Sequence, residues 1–260
     1  MAAKRAGEKR APPGKVLTLQ WTEGNPGCSY GRMALAVVTG AGDGIGRATA
    51  LELARRGLDL ALLGRTEVTL RATADQAERA GVRTLVARAD VGVEAEVRLA
   101  AATVLAGMGT PRLVVNNAGI AGRKARVEDT TAADWDAVMA VNLRGVFLVS
   151  RAFLPAMRAA GVGRLITLAS ISATLGTAGM APYCASKWGV VGFVRSLAEE
   201  LRGSGLQSLA VLPGSVDTPM AKVGGFPPQM SAEDVARVVA FAALDAPDAM
   251  NGSAVECFGP

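Results

Sequence analysis

A tyrosine and a lysine four residues apart are the clearest candidates for chemistry in this sequence. Tyr183 and Lys187 lie in a helix-patterned segment, where residues at this spacing share one face. An ammonium beside a phenol favours the phenolate and brings the tyrosine pKa from about 10 towards values useful for proton transfer near neutrality. Such pairs also occur on solvated helices, but no other tyrosine follows Tyr30 and only two other lysines follow Lys15. The pair is therefore a candidate acid–base site.

A glycine-rich turn at 39–46 is a candidate anion site. It follows the apolar run 34–38 and precedes a helix-patterned segment. Without a Cβ at Gly40, Gly44 and Gly46, the backbone can turn sharply and approach a pyrophosphate, which the free amides of the first helical turn would face. A glycine turn before a helix also occurs where nothing binds, so this motif depends on its context.

Polar and turn-forming residues follow three more predicted strands. They are Asp90 and Val91 after the third strand, 116–119 after the fourth and 213–218 after the sixth. Each could be a plain turn. Because ligands of an open α/β sheet bind beyond the carboxyl ends of the strands, we expect all three to line one crevice with the glycine turn.

The elements that must position these residues alternate between strand and helix patterns, which is typical of a parallel sheet covered on both faces. The predicted strands lie near 34–38, 59–63, 84–88, 113–115, 164–169, 208–212 and 254–257. The predicted helices lie near 45–56, 67–80, 93–107, 131–159, 183–202 and 231–244. The pattern predicts one α/β domain over 33–260 with a doubly wound, mostly parallel seven-stranded sheet.

Composition excludes several classes of protein. The chain has 260 residues, of which 50% are apolar, enough for one large core. It has no histidine, which excludes a Ser-His-Asp mechanism, and no CxxC motif that would indicate a metal site. Its three scattered cysteines, Cys28, Cys184 and Cys257, do not form a disulfide framework. No apolar run approaches the roughly 18 residues of a membrane span, so we expect a cytoplasmic protein without membrane association.

The net charge of +5 is concentrated in residues 1–32, which carry six basic and two acidic side chains. This segment is rich in proline and glycine, lacks periodicity and is predicted to be a disordered basic leader. A nucleic-acid-binding arm is the alternative, but a solvated tail is favoured. Because the first strand starts at Ala34, we expect a chain beginning at Met33 to fold and turn over like the full chain, with little change in melting temperature.

Together these motifs resemble the short-chain dehydrogenase/reductase family over 33–260. The segment 39–46 is similar to its TGxxxGIG element, 116–119 to its NNAG element and 183–187 to its YxxxK element. The resemblance implies a single Rossmann-like domain with helices on both faces of the sheet. It also implies an NAD(P)-dependent oxidoreductase, similar to the 3-oxoacyl thioester reductases.

Four residues match the catalytic positions of that family: Asn142, Ser170, Tyr183 and Lys187. Ser170 stands thirteen residues before Tyr183, as the family's catalytic serine does. By this resemblance, Tyr183 would exchange a proton with the substrate oxygen while Ser170 orients that oxygen. Lys187 would hold the nicotinamide ribose and favour the phenolate, and Asn142 would anchor a water that links the lysine to solvent.

The resemblance also implies cofactor contacts along the crevice. Asp90 would bond the adenine, Asn116 would steady the fourth strand, and Val216 and Thr218 would contact the nicotinamide half. The expected cofactor-binding residues are Gly40, Asp43, Gly44, Ile45, Gly46, Arg65, Asp90, Val91, Asn117, Ala118, Gly119, Tyr183, Lys187, Pro213, Gly214, Val216 and Thr218. A segment rich in proline and glycine, 217–230, is either a closing lid or a plain surface loop.

Two residues, Arg65 and Asp43, indicate different cofactors. An NAD site usually places an acid about 20 residues after the glycine turn, whereas an NADP site leaves that place neutral and adds an arginine for the 2′-phosphate. Gly64 occupies the place of the acid and Arg65 follows it, which favours NADP(H). Asp43 indicates the opposite, because a carboxylate near a 2′-phosphate would cost affinity. NADP(H) is favoured, and NAD(H) is the alternative.

The favoured function is hydride transfer between a nicotinamide cofactor and a ketone or secondary alcohol. The alternative is a nicotinamide-nucleotide-binding regulator without turnover, which would not need a proton donor. Helices 131–159 and 183–202 carry more apolar residues than one sheet face can cover. Part of this stripe is intramolecular core, and in the family these helices also pair across dimers. The apolar residues include Val146, Phe147, Val149, Phe153, Val190, Val191 and Phe193. We expect a homodimer or homotetramer with a small-molecule substrate and no nucleic-acid partner.

Overall fold

Seven short apolar segments form the strands of one parallel sheet in the computed structural model, which describes residues 34–221 and 227–259. The strands are β1 (Leu35–Thr39), β2 (Asp59–Gly64), β3 (Thr84–Arg88), β4 (Leu113–Asn116), β5 (Gly163–Leu168), β6 (Leu206–Pro213) and β7 (Ala254–Cys257). Their order is β3-β2-β1-β4-β5-β6-β7, and all pairings between them are parallel. The chain runs outward from β1 to β3 and then returns to β4 beside β1, which opens a crevice at the carboxyl ends of β1 and β4.

The helices cover both faces of the sheet, as predicted. Within the described residues, the α-helices are α1 (Gly44–Arg55), α2 (Glu67–Glu78), α3 (Glu94–Met108), α4 (Ala132–Met139), α5 (Gly145–Ala160), α6 (Ala181–Glu200) and α7 (Ala232–Ala240). The predicted helix at 131–159 is divided into α4 and α5 by a π turn, Ala140–Arg144, and a second π turn, Phe241–Asp245, follows α7. Three short 3₁₀ turns were not predicted, because so short a turn has no periodic signature: Val127–Asp129, Ile171–Ala173 and Asp248–Met250.

Alternate residues of each strand face opposite sides of the sheet, so each strand contributes to two cores. In β1, Ala36 and Val38 pack in one core with α1, α2 and α7. Leu35 and Val37 pack in the other core with α3, α5 and α6. This double burial explains why the strands are continuous apolar runs.

The α4–α5 segment qualifies by length and composition as a membrane-spanning helix, which the sequence analysis had not expected. Its apolar side chains have another explanation, because Leu148, Val149, Phe153 and Met157 are buried in the core beneath the sheet. The apolarity of this segment therefore follows from its packing against β-strands.

Two predicted segments extend beyond the described residues. The basic leader at 1–32 lies wholly outside them. The predicted lid lies partly outside them, since its residues 222–226 are not described. Both assignments stay predictions.

Candidate active site

The glycine turn forms a tight cradle between β1 and α1. Gly40 and Gly44 have φ values of 65° and 48°, in the left-handed region that favours glycine. A Cβ at Gly46 would lie 2.1 Å from the carbonyl oxygen of Gly40. The helix can therefore approach the end of its strand only because Gly46 has no side chain. Asp43 precedes α1, and its side chain makes no capping hydrogen bond to the first turn.

The cradle opens into a cavity of about 240 Å³ at the carboxyl ends of the strands. Fifteen of the predicted site residues line this cavity: Gly40, Asp43, Gly44, Ile45, Gly46, Arg65, Asp90, Val91, Asn117, Ala118, Gly119, Tyr183, Lys187, Pro213 and Thr218. The structure thus gathers residues from five strand ends into one crevice.

Four predicted site residues do not line the cavity. Val216 is buried in the apolar core and forms a bridge with Met230. The backbone N–H of Gly214 donates to the carbonyl of Cys257, which ties the end of β6 to the end of β7. Asn142 and Ser170 each form a hydrogen bond with a residue that does line it, Ile120 and Tyr183 respectively.

Thr39 joins the two strands that flank the crevice, a role that the sequence analysis missed. Its hydroxyl accepts hydrogen bonds from the N–H groups of Asn117 and Ala118, both at 3.0 Å. In return, the Asn117 side chain donates to the Thr39 carbonyl at 2.9 Å. The next residue back, Asn116, is buried and donates to Ser150 of α5. A threonine at the end of the first strand and an Asn-Asn pair at the end of the fourth were the sequence signal that could have indicated this link.

The phenol of Tyr183 sits at the start of α6, beside Ser170 at the end of β5. Burial raises the pKa of Tyr183 above its usual value, and a hydrogen bond with Ser170 lowers it in part. The Ser170 hydroxyl also accepts from the N–H of Ser172 at 3.1 Å. A phenol of ordinary pKa is already protonated at neutral pH, and the upward shift strengthens that state, so Tyr183 has a proton to give.

Lys187 lies near the phenol, but its hydrogen bond goes elsewhere. Its Nζ donates to the Leu168 carbonyl at 2.8 Å and lies 5.6 Å from the centre of the Tyr183 ring. Burial lowers the pKa of Lys187 from 10.5 to about 8. The expected lowering of the Tyr183 pKa by this ammonium is not found here, because burial, Ser170 and Cys184 are the groups that shift it and Lys187 is not among them.

Asn142 connects the loop after β4 with α6. Its side chain accepts from the N–H of Ile120 at 2.8 Å and donates to the Ile120 carbonyl at 2.9 Å. It also donates to the hydroxyl of Ser186 at 3.1 Å, and Ser186 donates to the carbonyl of Tyr183 at 2.7 Å. The π turn around Asn142 therefore positions the backbone that carries Tyr183. The sequence analysis missed Ser186, although its place three residues after Tyr183 on one helix face was a usable signal.

Two residues of opposite charge line the other end of the cavity. Arg65 follows β2, is exposed and makes no side-chain hydrogen bond or ion pair within the described part of the chain. Asp43 is also exposed and lines the same cavity. The geometry leaves both residues available to a ligand, as the sequence analysis expected.

Comparison with known proteins gives consistent results. The family model described as short chain dehydrogenase matches residues 34–224. The 2-(R)-hydroxypropyl-CoM dehydrogenase of Xanthobacter autotrophicus is 38% identical over 207 residues, which cover 78% of this chain and 83% of that protein. The NADPH-dependent pterin aldehyde reductase of Arabidopsis thaliana is 37% identical, over 70% of this chain and 74% of that protein. The crystal structure of a 3-ketoacyl-(acyl-carrier-protein) reductase from Brucella melitensis, complexed with NADH, has a TM-score of 0.81 at 27% identity and covers 87% of this chain and 97% of its own.

Proposed function

The chain belongs to the short-chain dehydrogenase family, and from that premise we propose that Tyr183 is the proton donor of an oxidoreductase that prefers NADP(H). The chain is an NAD(P)-dependent oxidoreductase of secondary alcohols and ketones, and its relatives are dehydrogenases and reductases, which does not support a regulator without turnover. One observation carries the proposal: the Tyr183 phenol lines the cavity, is hydrogen-bonded to Ser170 and is protonated at neutral pH.

The cradle fits the pyrophosphate of a nicotinamide dinucleotide. A Cβ at Gly40 would lie 2.9 Å from the backbone of Ala118, and a Cβ at Gly44 would lie 3.2 Å from the side chain of Thr218. Glycine at these positions therefore lets the turn pack against the loops after β4 and β6, which line the cavity beside the amides at the start of α1. When bound, the nicotinamide supplies or accepts the hydride.

The residues around the phenol account for the movement of the proton. As the substrate carbonyl is reduced, negative charge develops on its oxygen, and Tyr183 donates its phenolic proton there. Ser170, already hydrogen-bonded to the phenol, orients the same oxygen. Lys187 lines the same cavity, and its Nζ lies 5.6 Å from the centre of the Tyr183 ring, where it would bind the nicotinamide ribose. In the oxidation direction, Tyr183 accepts the proton of the substrate hydroxyl, and Ser170 orients the same oxygen.

Tyr183→Phe tests the proton donor. This substitution keeps the ring and its packing but removes the acid, so we expect turnover to fall by roughly 10² to 10⁴. The measurement is loss of reduced-nicotinamide absorbance with a panel of cyclic ketones, acyclic ketones and 3-oxoacyl thioesters. Cofactor affinity, measured by fluorescence titration, serves as the control and should change little. Near-normal turnover in Tyr183→Phe would contradict the mechanism.

The preference for NADP(H) is supported by the end of β2. Gly64 offers no acid to bond the ribose 2′-hydroxyl or to repel a 2′-phosphate, and Arg65 lines the cavity without a partner in the described residues. A guanidinium gives a forked, charge-assisted contact to phosphate that NAD(H) cannot use. The carboxylate of Asp43 disfavours a 2′-phosphate, but Asp43 lies on the glycine turn and not at the strand end that would contact the adenosine ribose.

Arg65→Ala tests the preference. We expect the Michaelis constant for NADPH to rise about tenfold or more, because a charge-assisted contact is lost, while that for NADH changes by less than about twofold. Steady-state kinetics with both cofactors provides the comparison. Arg79→Ala, which removes an exposed arginine at the end of α2, is the matched control. If the wild type uses NADH at least as efficiently as NADPH, and Arg65→Ala leaves that ratio unchanged, the preference for NADP(H) is wrong and Asp43 indicates the cofactor correctly.

We also propose a homodimer or homotetramer that acts on its small-molecule substrate in the cytoplasm. Exposed aromatic side chains on α5 and α6 support the assembly: Phe147 and Trp188 are 42% and 55% exposed. Cys184 and Cys257 are both free thiols, which agrees with a reducing compartment.

A further inference from the structure

Arg88 lies beside the cavity end that carries Arg65. It is the last residue of β3, and its Cα pairs with that of Gly64 in β2. Because Gly64 has no side chain, the guanidinium of Arg88 can extend across the end of β2. Its Nε donates to the carbonyl of Arg65 at 3.2 Å. The guanidinium of Arg88 therefore lies against the backbone of the residue proposed to bind the 2′-phosphate.

Neither arginine is neutralised. Arg65 and Arg88 form no ion pair within 34–221 or 227–259. Other arginines of this region do: Arg71 of α2 pairs with Glu67, and Arg83, at the opposite end of β3, pairs with Asp59. The contrast leaves two uncompensated positive charges together at one edge of the sheet.

The acidic groups close to this edge are engaged or lie on other elements. The carboxylate of Asp90, two residues after Arg88, accepts from the N–H of Gly92 at 2.8 Å. Glu96 accepts from the backbone N–H of Asp90 at 2.8 Å. Asp43 lines the same cavity but lies on the glycine turn before α1. One N–H group of Arg88 is enough to hold the Arg65 carbonyl, whereas a guanidinium has five. The contact with Arg65 therefore does not use the full hydrogen-bonding capacity of Arg88.

We propose that Arg88 is a second specificity residue for NADP(H), which holds the Arg65 carbonyl and adds a positive charge beside the 2′-phosphate. This inference rests on the proposed preference for NADP(H). An acid at position 64 would lie next to Arg88 and neutralise it, whereas Gly64 leaves its charge for the phosphate. Because position 64 carries no acid, neither Arg65 nor Arg88 has a carboxylate there to neutralise it.

Binding of adenosine fragments to the unliganded protein tests this role without turnover. The probes are 2′,5′-ADP, which carries the 2′-phosphate, and 5′-AMP, which lacks it, with affinity measured by isothermal titration calorimetry. Arg88→Gln keeps a donor for the Arg65 carbonyl but removes the charge. We expect it to weaken 2′,5′-ADP binding about threefold to tenfold and to leave 5′-AMP binding unchanged, because an exposed charge contributes modestly.

Two controls separate charge from structure. Arg88→Lys retains the charge, and we expect it to recover most of the affinity for 2′,5′-ADP. Arg79→Gln removes one charge from the far end of α2, and we expect wild-type affinity for both probes. Equal losses for both probes in Arg88→Gln, with no recovery in Arg88→Lys, would show that Arg88 acts only as a structural brace and would overturn the proposal.

The experiment also distinguishes the role of Arg88 from the preference for NADP(H) on which it rests. If the wild type binds 2′,5′-ADP no more tightly than 5′-AMP, the preference for NADP(H) is wrong and the role of Arg88 is overturned with it. If the wild type prefers 2′,5′-ADP and Arg88→Gln retains that preference in full, only the role of Arg88 is wrong.

Discussion

Burial shifts the pKa of both residues in the Tyr183–Lys187 pair. It raises the pKa of the phenol and lowers that of the ammonium, so each residue is pushed towards its neutral form. For the phenol this holds the proton more tightly, so donation depends on the negative charge that develops on the substrate oxygen. For the lysine it carries a cost, since a pKa of about 8 means that the buried cation is less stable than it would be in water.

Lys187→Met measures that cost. The folded pKa of about 8 lies below the ordinary 10.5, so between these values the unfolded chain binds more protons and wild-type stability rises with pH. Relative to Lys187→Met, the wild type should therefore gain about 2 to 3 kcal/mol in free energy of unfolding between pH 7 and pH 10.

Urea unfolding of both proteins at the two pH values provides this difference. Lys124→Met, which removes an exposed lysine, controls for the loss of one lysine elsewhere. A stability difference between wild type and Lys187→Met that does not vary with pH would mean that Lys187 is hydrated in solution.

At the scale of the elements, the approach of α1 to β1 determines whether the cradle exists. The Cβ of an alanine at 46 would meet backbone, not a flexible side chain, at 2.1 Å. The helix would have to move away from the strand, which would widen the turn and misdirect its amides.

Gly46→Ala should consequently weaken cofactor binding by at least about tenfold and reduce the free energy of unfolding by about 1 to 3 kcal/mol. Titration of NADPH fluorescence and chemical unfolding measure the two effects. Gly176→Ala is the matched control, because it adds a methyl group to an exposed loop glycine with no atom within 4 Å of the new Cβ. Wild-type cofactor affinity in Gly46→Ala would show that the turn adapts without loss.

At the scale of the whole molecule, most of the apolar stripe expected at an interface is core instead. Val146, Val149, Phe153, Val190 and Val191 are all buried within the chain. Two aromatic residues remain exposed on the same two helices, Phe147 on α5 and Trp188 on α6. The proposed subunit interface therefore depends on fewer residues than the sequence indicated.

Phe147→Arg combined with Trp188→Arg should convert the proposed oligomer to monomers, because two charges would be buried unpaired at the interface. Light scattering after size-exclusion chromatography measures the mass. Leu99→Arg, at a 70% exposed position on α3, is the control and should keep the wild-type mass. An unchanged mass in the double variant would show that the subunit interface lies on another surface.

Local sequence predicted the elements well. All seven strands begin and end within two residues of their predicted positions, as β6 (Leu206–Pro213) shows against 208–212. Strand and helix periodicities are local properties of apolar spacing, and in this fold the central strands are buried on both faces. The spacing of Tyr183 and Lys187 also needed only the pitch of one helix.

The partners of the site residues were decided only by the tertiary structure. Lys187 donates to Leu168, Asn142 joins Ile120 to Ser186, and Arg88 reaches Arg65, and none of these partners follows from the local pattern. The π turn that carries Asn142 likewise has no signature in helical periodicity. Each contact depends on which strands become neighbours in the sheet and on how deeply a side chain is buried. The sequence alone therefore determined which residues could do chemistry, whereas packing decided their partners and their protonation, because both depend on groups distant in the chain.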